Sequence, residues 1–283
     1  MFKAKMLKYS VHSEDETREL LTIEMTFPRP VLSEWNTHRS QSRNSASSRA
    51  IPVKKMINDV ENNPFIPIHI GKAQKGMQAY EEVSAENKEE VLKIINDLRY
   101  KAIEAANKML ELGAHKQVVN RYLEPWMWVT VIGTGSLEGW ANFWNLRQSE
   151  EAEPHIRKIA EMSFEEYKSA TPQILRPGQW HLPLIGFEGD EFLTIDEKIR
   201  VSTGRCARVS YLTHDGKRDV SADIELHDKL LADKHFSPFE HVVQAANFFD
   251  MKNKYNGNLG PGWIQYRKTI QGEFQNVIKR PQK

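Results

Sequence analysis

Several features are scarce in this sequence, and each scarcity excludes a class of protein. Cys206 is the single cysteine among 283 residues, so no intrachain disulfide can form, and a reducing cytoplasm fits this usage. No apolar run approaches the roughly 20 residues that a membrane-spanning helix needs, and the N-terminus shows no signal-peptide core. Thirty-nine Lys and Arg balance 38 Asp and Glu, so no overall field attracts a nucleic-acid polymer. We therefore expect a cytoplasmic protein that binds neither membranes nor nucleic-acid polymers.

Candidate metal ligands are also sparse. The tightest group is residues 235–241 (HFSPFEH), which holds two histidines and one glutamate. A proline interrupts it, so the segment offers no helical i, i+4 pair of ligands. We therefore expect no metal site. On composition alone, a structural turn in which His241 is partly buried explains the segment equally well.

Periodic apolar residues, in contrast, are plentiful and define the elements. Ser84 can cap a long helix that ends near Gly113, and apolar residues recur between them at helical spacing. The pattern predicts further helices over 126–147, over 150–169, from 195 and over 221–234, and strands over 19–27 and 240–251. There is no internal repeat and no long linker. We therefore predict one domain over residues 1–283, of mixed α/β (α+β) class and dominated by long helices.

The densest polar cluster follows the first predicted strand. Residues 37–49 (THRSQSRNSASSR) hold three arginines and five serines. Guanidinium groups and hydroxyls suit phosphate oxygens, which accept several hydrogen bonds and attract positive charge. A solvated basic loop would have the same composition, so the cluster alone leaves both interpretations open.

Two further arginines stand in segments that are ambiguous when each is taken alone. Arg147 ends the aromatic-rich segment 142–147 (NFWNLR), where a cation also complements the dipole at a helix C-terminus. Arg121 precedes Pro125 in the segment 120–125 (NRYLEP). Either residue is a candidate anion ligand, and either is compatible with a purely structural role.

Cys206 is the obvious candidate nucleophile, and its surroundings argue against that role. A reactive cysteine needs neighbours that lower the pKa of its thiol, because the thiolate is the attacking form. Cys206 lies between Arg205 and Ala207 and lacks the Pro-Cys-His setting of cysteine-dependent thymidylate synthases. We expect it to be a small buried residue.

Taken together, these segments resemble the flavin-dependent thymidylate synthases. Their signature R-H-R-x-x-S-x-N-x-x-S-x-R is matched in register, except that Thr37 replaces the first arginine. The matching residues are His38, Arg39, Ser42, Asn44, Ser47 and Arg49. The other similar segments are 235–241 (H-x-S/T-P-F-E-H), 207–211 (A-R-V-S-Y), 142–147 (N-F-x-x-L-R), the acidic stretch 150–156 and Arg121 with Pro125. Six matches in one chain are far more specific than any one of them.

The order of these segments differs from that of the family. There A-R-V-S-Y and H-x-S-P-F-E-H come first, whereas here they lie near the C-terminus. A circular permutation explains this order, because chain termini lie at the surface and often close together. It predicts that the strand before His38 and the strand after His241 are neighbours in one sheet, and that His38 and Ser237 reach one flavin.

The resemblance implies a mixed sheet with long helices and an activity, the reductive methylation of dUMP to dTMP. FAD would be the cofactor, with methylenetetrahydrofolate and NADPH as co-substrates. The residues implied to bind FAD are His38, Arg39, Asn142, His235 and Ser237. Those implied to hold dUMP are Ser47, Arg49, Arg121 and Arg147. Arg147 would be the catalytic residue, which stabilises negative charge on the pyrimidine without a cysteine adduct. The resemblance also implies a homo-oligomer, a tetramer whose active sites lie at the subunit interfaces.

Three departures from the family leave alternatives open. Thr37 lacks the charge of the usual arginine, Ser45 stands where glutamate is usual, and Ser136 and Glu138 replace the Asn and Arg of an N-x-R segment. A related flavoenzyme that transfers a methyl or hydroxymethyl group to another pyrimidine deoxynucleotide is one alternative. A nucleotide-binding protein without flavin is another. The stretch 262–268 (GWIQYRK) either returns positive charge through Arg267 or Lys268 or is a solvated surface tail.

Overall fold

The computed structural model describes residues 1–211, 219–247 and 255–273, without the side chains of residues 210 and 211. A five-stranded mixed sheet lies at its centre, in the strand order β3-β4-β2-β1-β5. The strands are β1 (Lys3–His12), β2 (Asp15–Pro28), β3 (Ser42–Ser45), β4 (Trp128–Ser136) and β5 (Gln173–Leu175). All neighbours are antiparallel except β1 and β5. The predicted mixed α/β class, with a mixed sheet, is confirmed.

A second, antiparallel sheet is made of short strands from the C-terminal half. Its strands are β6 (Trp180–His181), β7 (Val243–Ala245) and β8 (Trp263–Gln265), in the order β6-β7-β8. The helices are α1 (Leu32–Asn36), α2 (Val53–Asn62), α3 (Ala85–Glu111), α4 (Lys116–Val119), α5 (Leu137–Arg147), α6 (Pro154–Ser169), α7 (Ile195–Tyr211), α8 (Val220–Ala232) and α9 (Tyr266–Thr269). In the described ranges, no helix combines the length and the apolar character that crossing a membrane requires.

The long helices form where the apolar periodicity predicts them. Ser84 caps α3 by accepting a hydrogen bond from the Asn87 backbone N–H, and Gly113 after its end has a φ of +79°. A left-handed residue at that position suits glycine, which has no Cβ to clash. Helices α6, α7 and α8 likewise agree with their predicted spans to within a few residues.

The helix predicted over residues 126–147 is wrong in its first half. Residues Trp128–Ser136 form β4, which pairs with β2 along nine positions, and only α5 is helical. The segment is rich in β-branched residues and contains two glycines, Gly133 and Gly135. A Cβ on Gly133 would lie 3.0 Å from the Trp35 ring, so glycine lets aromatic side chains pack directly against the strand. Pairing with β2 decides the conformation, and that contact is not visible in local periodicity.

The main core lies between the five-stranded sheet and two helices. Alternate residues of β2 point to this side and are fully buried, as the predicted strand over 19–27 requires: Leu21, Ile23, Met25 and Phe27. They pack against aromatic and aliphatic side chains of α5 and α6, including Trp140 and Ile159. Burying a large apolar side chain contributes about 1.5–3 kcal/mol. This layer therefore holds α5 against the sheet and fixes the position of its C-terminal end.

The predicted strand over 240–251 and its pairing are corrected by the structure. A 3-10 turn covers Ser237–Glu240, β7 spans only three residues, and residues 248–251 lie outside the described part. β7 belongs to the smaller sheet, so it is not a neighbour of β2. Side chains join the sheets instead: His241 Nδ1 is 2.8 Å from Thr134 Oγ1 on β4. His241 is fully buried rather than partly buried.

Candidate active site

Arg147, the last residue of α5, is held by three acceptors on the segment that follows β2. Its Nε donates to His38 Nε2 at 2.9 Å, and its Nη2 donates to Thr37 Oγ1 at 3.1 Å and to the Glu34 carbonyl at 3.4 Å. Because His38 Nε2 accepts, its ring carries the proton on Nδ1 when neutral. A guanidinium fixed on two edges is preorganised, and the sequence could not show which residues fix it.

His38 is buried beneath this guanidinium and is held neutral. The pKa of His38 is lowered from 6.5 to about 4, chiefly by burial and also by the positive charges of Arg147 and Arg43. Its ring also packs edge-on against Phe143, with ring centroids 4.9 Å apart. At neutral pH His38 is therefore an acceptor for Arg147 and not a competing cation.

A cavity of about 780 Å³ opens beside Arg147. One wall is the loop at residues 69–80, and the other is the junction between α5 and α6. Its lining includes a second arginine, Arg157, and the half-exposed ring of Tyr80, along with several glutamates. The volume falls in the range of about 300–1,000 Å³ that small-molecule sites occupy.

A second cleft, of about 590 Å³, brings together residues from opposite ends of the chain. Arg39 and Arg43 line it from the arginine-rich segment, and Ser237 and Glu240 line it from the 3-10 turn. Arg39 and Ser237 are both implied to bind FAD, and they share this cleft although the strands around them do not pair. Arg43 Nη1 also donates to the His38 carbonyl at 3.1 Å, so the cleft adjoins the Arg147 cluster.

The stretch after residue 254 closes this cleft, and the surface-tail interpretation is wrong. Trp263 on β8 is buried, and Lys268 on α9 lines the cleft. Gln265 Nε2 donates to Ser42 Oγ and to Asn258 Oδ1, both at 3.1 Å. Truncation before residue 262 would therefore remove a strand and part of the core. Asn258 was missed by sequence reasoning, because no motif marks an isolated amide. Gln265 lies in the stretch 262–268, but its contacts were not predicted.

The implied phosphate ligands Ser47, Arg49 and Arg121 gather at the other end of β3. Asn120 Nδ2 donates to the Ser48 carbonyl at 2.7 Å and so holds their two 3-10 turns together. Both arginines are exposed, and Arg121 Nη1 donates to Glu124 Oε1 at 3.2 Å. These three residues line neither the cavity beside Arg147 nor the cleft at Arg39. The structure brings them together with one another but not with Arg147.

Asn142 and His235, implied to bind FAD, are both exposed. Asn142 lies on the outer face of α5, and His235 follows α8, where its backbone N–H donates to the Leu230 carbonyl at 2.9 Å. Neither lines the two cavities above. Their roles stay predictions.

In the segment 207–211, the side chain of Arg208 stabilises the packing of two helices. Arg208 on α7 donates to Asp223 on α8, whose other oxygen accepts from Arg205 Nε at 3.0 Å. Arg205 also pairs with Asp190. Buried carboxylates are stable only when they are paired in this way, so these charges join α7, α8 and the preceding loop. The side chains of residues 210 and 211 lie outside the described part.

Cys206 is buried, as the sequence predicts. Cys206 is fully buried on α7, and burial raises the pKa of its thiol. The raised pKa disfavours the thiolate, and Cys206 lines neither of the two cavities described above. In the described ranges, no group of three or more His, Cys, Asp or Glu side chains is arranged to hold a metal ion.

Comparison with known proteins identifies the family. Residues 4–173 match the family model Thy1, described as thymidylate synthase complementing protein. No curated protein matches the chain. Similar solved structures are the UMP/dUMP methylase PolB from Streptomyces cacaoi bound with 5-Br UMP (14% identity, 59% of this chain and 88% of that chain, TM-score 0.47) and the same protein bound with 5-Br dUMP (13%, 59%, 90%, 0.47). The family match spans more than half of the chain, which therefore belongs to the thymidylate synthase complementing proteins, a flavin-dependent family of thymidylate synthase-type methyltransferases.

Proposed function

We propose that this chain catalyses the FAD-dependent reductive methylation of dUMP to dTMP, with methylenetetrahydrofolate as the carbon donor and NADPH as the reductant. The observation that carries the proposal is the 2.9 Å hydrogen bond from Arg147 to His38. The family resemblance assigns the first residue to the pyrimidine and the second to the flavin. Contact between them supports binding of the two ligands side by side, as transfer between them requires.

Arg147 is suited to stabilise charge on a pyrimidine ring. Its Nε and Nη2 are occupied by His38, Thr37 and Glu34, and in the described part of the chain no group accepts from Nη1. Arg147 also lines the 780 Å³ cavity. A base placed against Nη1 would receive a fixed positive charge beside the carbonyl that becomes negative as C5 attacks. A preorganised donor of this kind lowers the barrier more than a mobile one does.

The reaction needs no cysteine adduct in this chain. Cys206 is fully buried, and the raised pKa of its thiol disfavours the thiolate. A cysteine adduct would activate C5 by nucleophilic addition of the thiolate to the ring. That activation is assigned instead to the charge stabilisation supplied by Arg147. This assignment distinguishes the proposal from any thiol-dependent route to the same product.

The cleft at Arg39 fits the FAD that the family implies. Two arginines and the Ser237 hydroxyl line it, and these groups suit the oxygens of a diphosphate. Bound flavin would supply the hydride that completes the methyl group. The residues of the chain bind and orient the ligands. His38 accepts a hydrogen bond from Arg147 and so holds its guanidinium in position to contact the base.

We propose that the protein is a homotetramer in the cytoplasm and that neighbouring subunits complete each site. Arg49 and Arg121 lie close together and exposed, beyond the two cavities described above. Such a pair suits the phosphate of a nucleotide whose base is bound by another subunit. The single cysteine agrees with a reducing compartment.

The proposal is tested by product analysis with purified protein. FAD-loaded protein is incubated with methylenetetrahydrofolate, NADPH and either dUMP or dCMP. We expect dTMP from dUMP and no product from dCMP. A product from dCMP alone, or a hydroxymethylated nucleotide, would replace the proposed substrate or product. A preparation that binds no flavin, judged by its visible absorption, would favour a nucleotide-binding protein instead.

A further inference from the structure

We propose that Lys268, together with Arg39 and Arg43, binds the diphosphate group of FAD. The lysine belongs to the segment 255–273, which lies outside the family match at 4–173. This inference rests on the proposed function, because it assigns residues to the cofactor of that function. It makes the C-terminal segment part of the binding site and not only a cover for it.

The cleft carries an excess of positive charge. Arg39, Arg43 and Lys268 line it, and Glu240 is the one carboxylate among its lining residues. Glu240 is already paired with Arg267. A diphosphate brings two negative charges and several acceptor oxygens, which match three cations better than a neutral ligand would.

Repulsion between the cations supports an anionic ligand. Arg43 is half-buried, and its pKa is lowered chiefly by burial; Glu240 opposes this shift, and the charge of Arg39 adds to it. The two guanidiniums are therefore close enough to destabilise each other. An anion between them would relieve both the repulsion and the cost of burial.

Lys268 is held in place by a specific network. Its Nζ donates to Glu273 Oε1 at 2.9 Å, and Arg267 Nε donates to the same oxygen at 2.9 Å. One carboxylate thus orients two cations, and Arg267 also pairs with Glu240. Glu273 is nearly buried, so the arrangement is built into the fold and is not a feature of a loose terminus.

Hydrogen bonds also tie the segment to the arginine-rich stretch. Asn258 Nδ2 donates to the Ser40 carbonyl at 2.9 Å, and Ser42 Oγ donates to Asn258 Oδ1 at 3.0 Å. Gln265 is buried between them. These bonds span more than 200 positions of sequence and fix Lys268 relative to Arg39.

The residue at position 37 leaves the chain with one positive charge fewer than the family has. The family has arginine there, whereas Thr37 Oγ1 donates to the Glu34 carbonyl at 2.7 Å and accepts from Arg147. Thr37 therefore contributes no charge to a phosphate. Lys268 brings one positive charge to the cleft at Arg39 from the opposite end of the chain.

The test measures flavin affinity and does not depend on turnover. Dissociation constants of FAD and of riboflavin, which lacks phosphate, are measured by flavin fluorescence for the wild type and for Lys268→Met. Lys229→Met is the matched control, because Lys229 is exposed on α8 and lines neither cavity. We expect Lys268→Met to weaken FAD binding at least tenfold, about 1.4 kcal/mol, and to leave riboflavin binding unchanged. Lys268→Arg should retain most of the FAD affinity.

Each other outcome contradicts the inference in an identifiable way. Equal losses for FAD and riboflavin would show that Lys268 only supports the fold, and a thermal melt would register the same damage. A loss of dUMP affinity with FAD affinity intact would assign the lysine to the nucleotide phosphate. Unchanged FAD affinity in Lys268→Met, with a loss in Arg39→Met, would overturn this inference alone. A wild-type protein that binds no FAD would overturn the proposed function as well.

Discussion

The two ends of strand β3 hold their arginines in different ways. Before the strand, Arg39 lines a cleft, and the neighbouring His38 accepts from a guanidinium with three partners. After the strand, Arg49 and Arg121 are exposed, and Arg121 shares Glu124 with another arginine, Arg29. The first arrangement is preorganised within one chain. The second has the groups for an anion but lines neither of the two cavities described above, which is why we assign its completion to another subunit.

The largest effect is expected from the preorganised end. Arg147→Ala removes the guanidinium that donates to the His38 ring, and we expect kcat to fall by about 10²–10³ while FAD stays bound. Arg147→Lys should recover little, because an ammonium cannot bond His38 and Thr37 through a planar fork. Steady-state kinetics check this, with Arg176→Ala, an exposed arginine outside both cavities, as the control. Turnover close to that of the wild type in Arg147→Ala would remove the catalytic assignment.

The role of the exposed arginines at the end of β3 is tested by mixing subunits that carry different impairing substitutions. Arg49→Ala should raise the KM for dUMP by roughly 10- to 100-fold, since a hydrogen bond to a charged group contributes about 1.5–3 kcal/mol. If Arg49 and Arg147 serve one site from different subunits, oligomers that mix Arg49→Ala with Arg147→Ala contain some intact sites. We expect partial recovery of activity at low dUMP after the two variants are unfolded and refolded together. Mixtures no more active than their parents would place both residues in one subunit's site.

A smaller effect is expected at the residue that orients Arg147. Thr37→Val keeps the shape of the side chain but loses the acceptor for Nη2, whereas Thr37→Ser keeps the hydroxyl. A single net hydrogen bond contributes about 0.5–1.5 kcal/mol, so kcat/KM should fall roughly threefold to tenfold in Thr37→Val and little in Thr37→Ser. Thr37→Arg, the family residue, should do at least as much harm, because arginine cannot accept. Equal activities in the valine and serine variants would show that this bond does not matter.

The smallest effect is expected at Cys206. Cys206→Ala should leave kcat unchanged, because the thiol is buried on α7 away from both cavities. The variant loses a small buried group, so a modest decrease in melting temperature is expected. Loss of turnover in a folded Cys206→Ala protein would revive a thiol mechanism.

Sequence reasoning succeeded where the determining interactions are local. The span and cap of α3 follow from Ser84 and apolar periodicity, and the arginine-rich segment follows from its spacing. It failed where a partner distant in sequence determines the secondary structure. Residues 128–136 form β4 because β2 pairs with them. The pairing of strands around His38 and His241 was also wrong, since side chains and not a shared sheet connect them.

The site residues divide in the same way. Motifs single out Arg147 and His38 as candidates, but the hydrogen bond between them joins positions 109 apart and has no sequence signal. Asn258 and Gln265 carry no motif at all, and their importance lies in contacts with Ser40 and Ser42. The structure adds the hydrogen bonds between residues far apart in sequence, which the motifs do not predict.

The most direct test of the account asks whether the pyrimidine lies beside the flavin. dUMP is titrated into FAD-loaded protein without folate or NADPH, and the visible absorption of the flavin is recorded. The Arg147–His38 contact predicts a saturable change in the flavin spectrum for the wild type. It predicts a much weaker change for Arg147→Ala, even at dUMP concentrations that saturate the variant. Saturable dUMP binding that leaves the wild-type flavin spectrum unchanged would contradict the account.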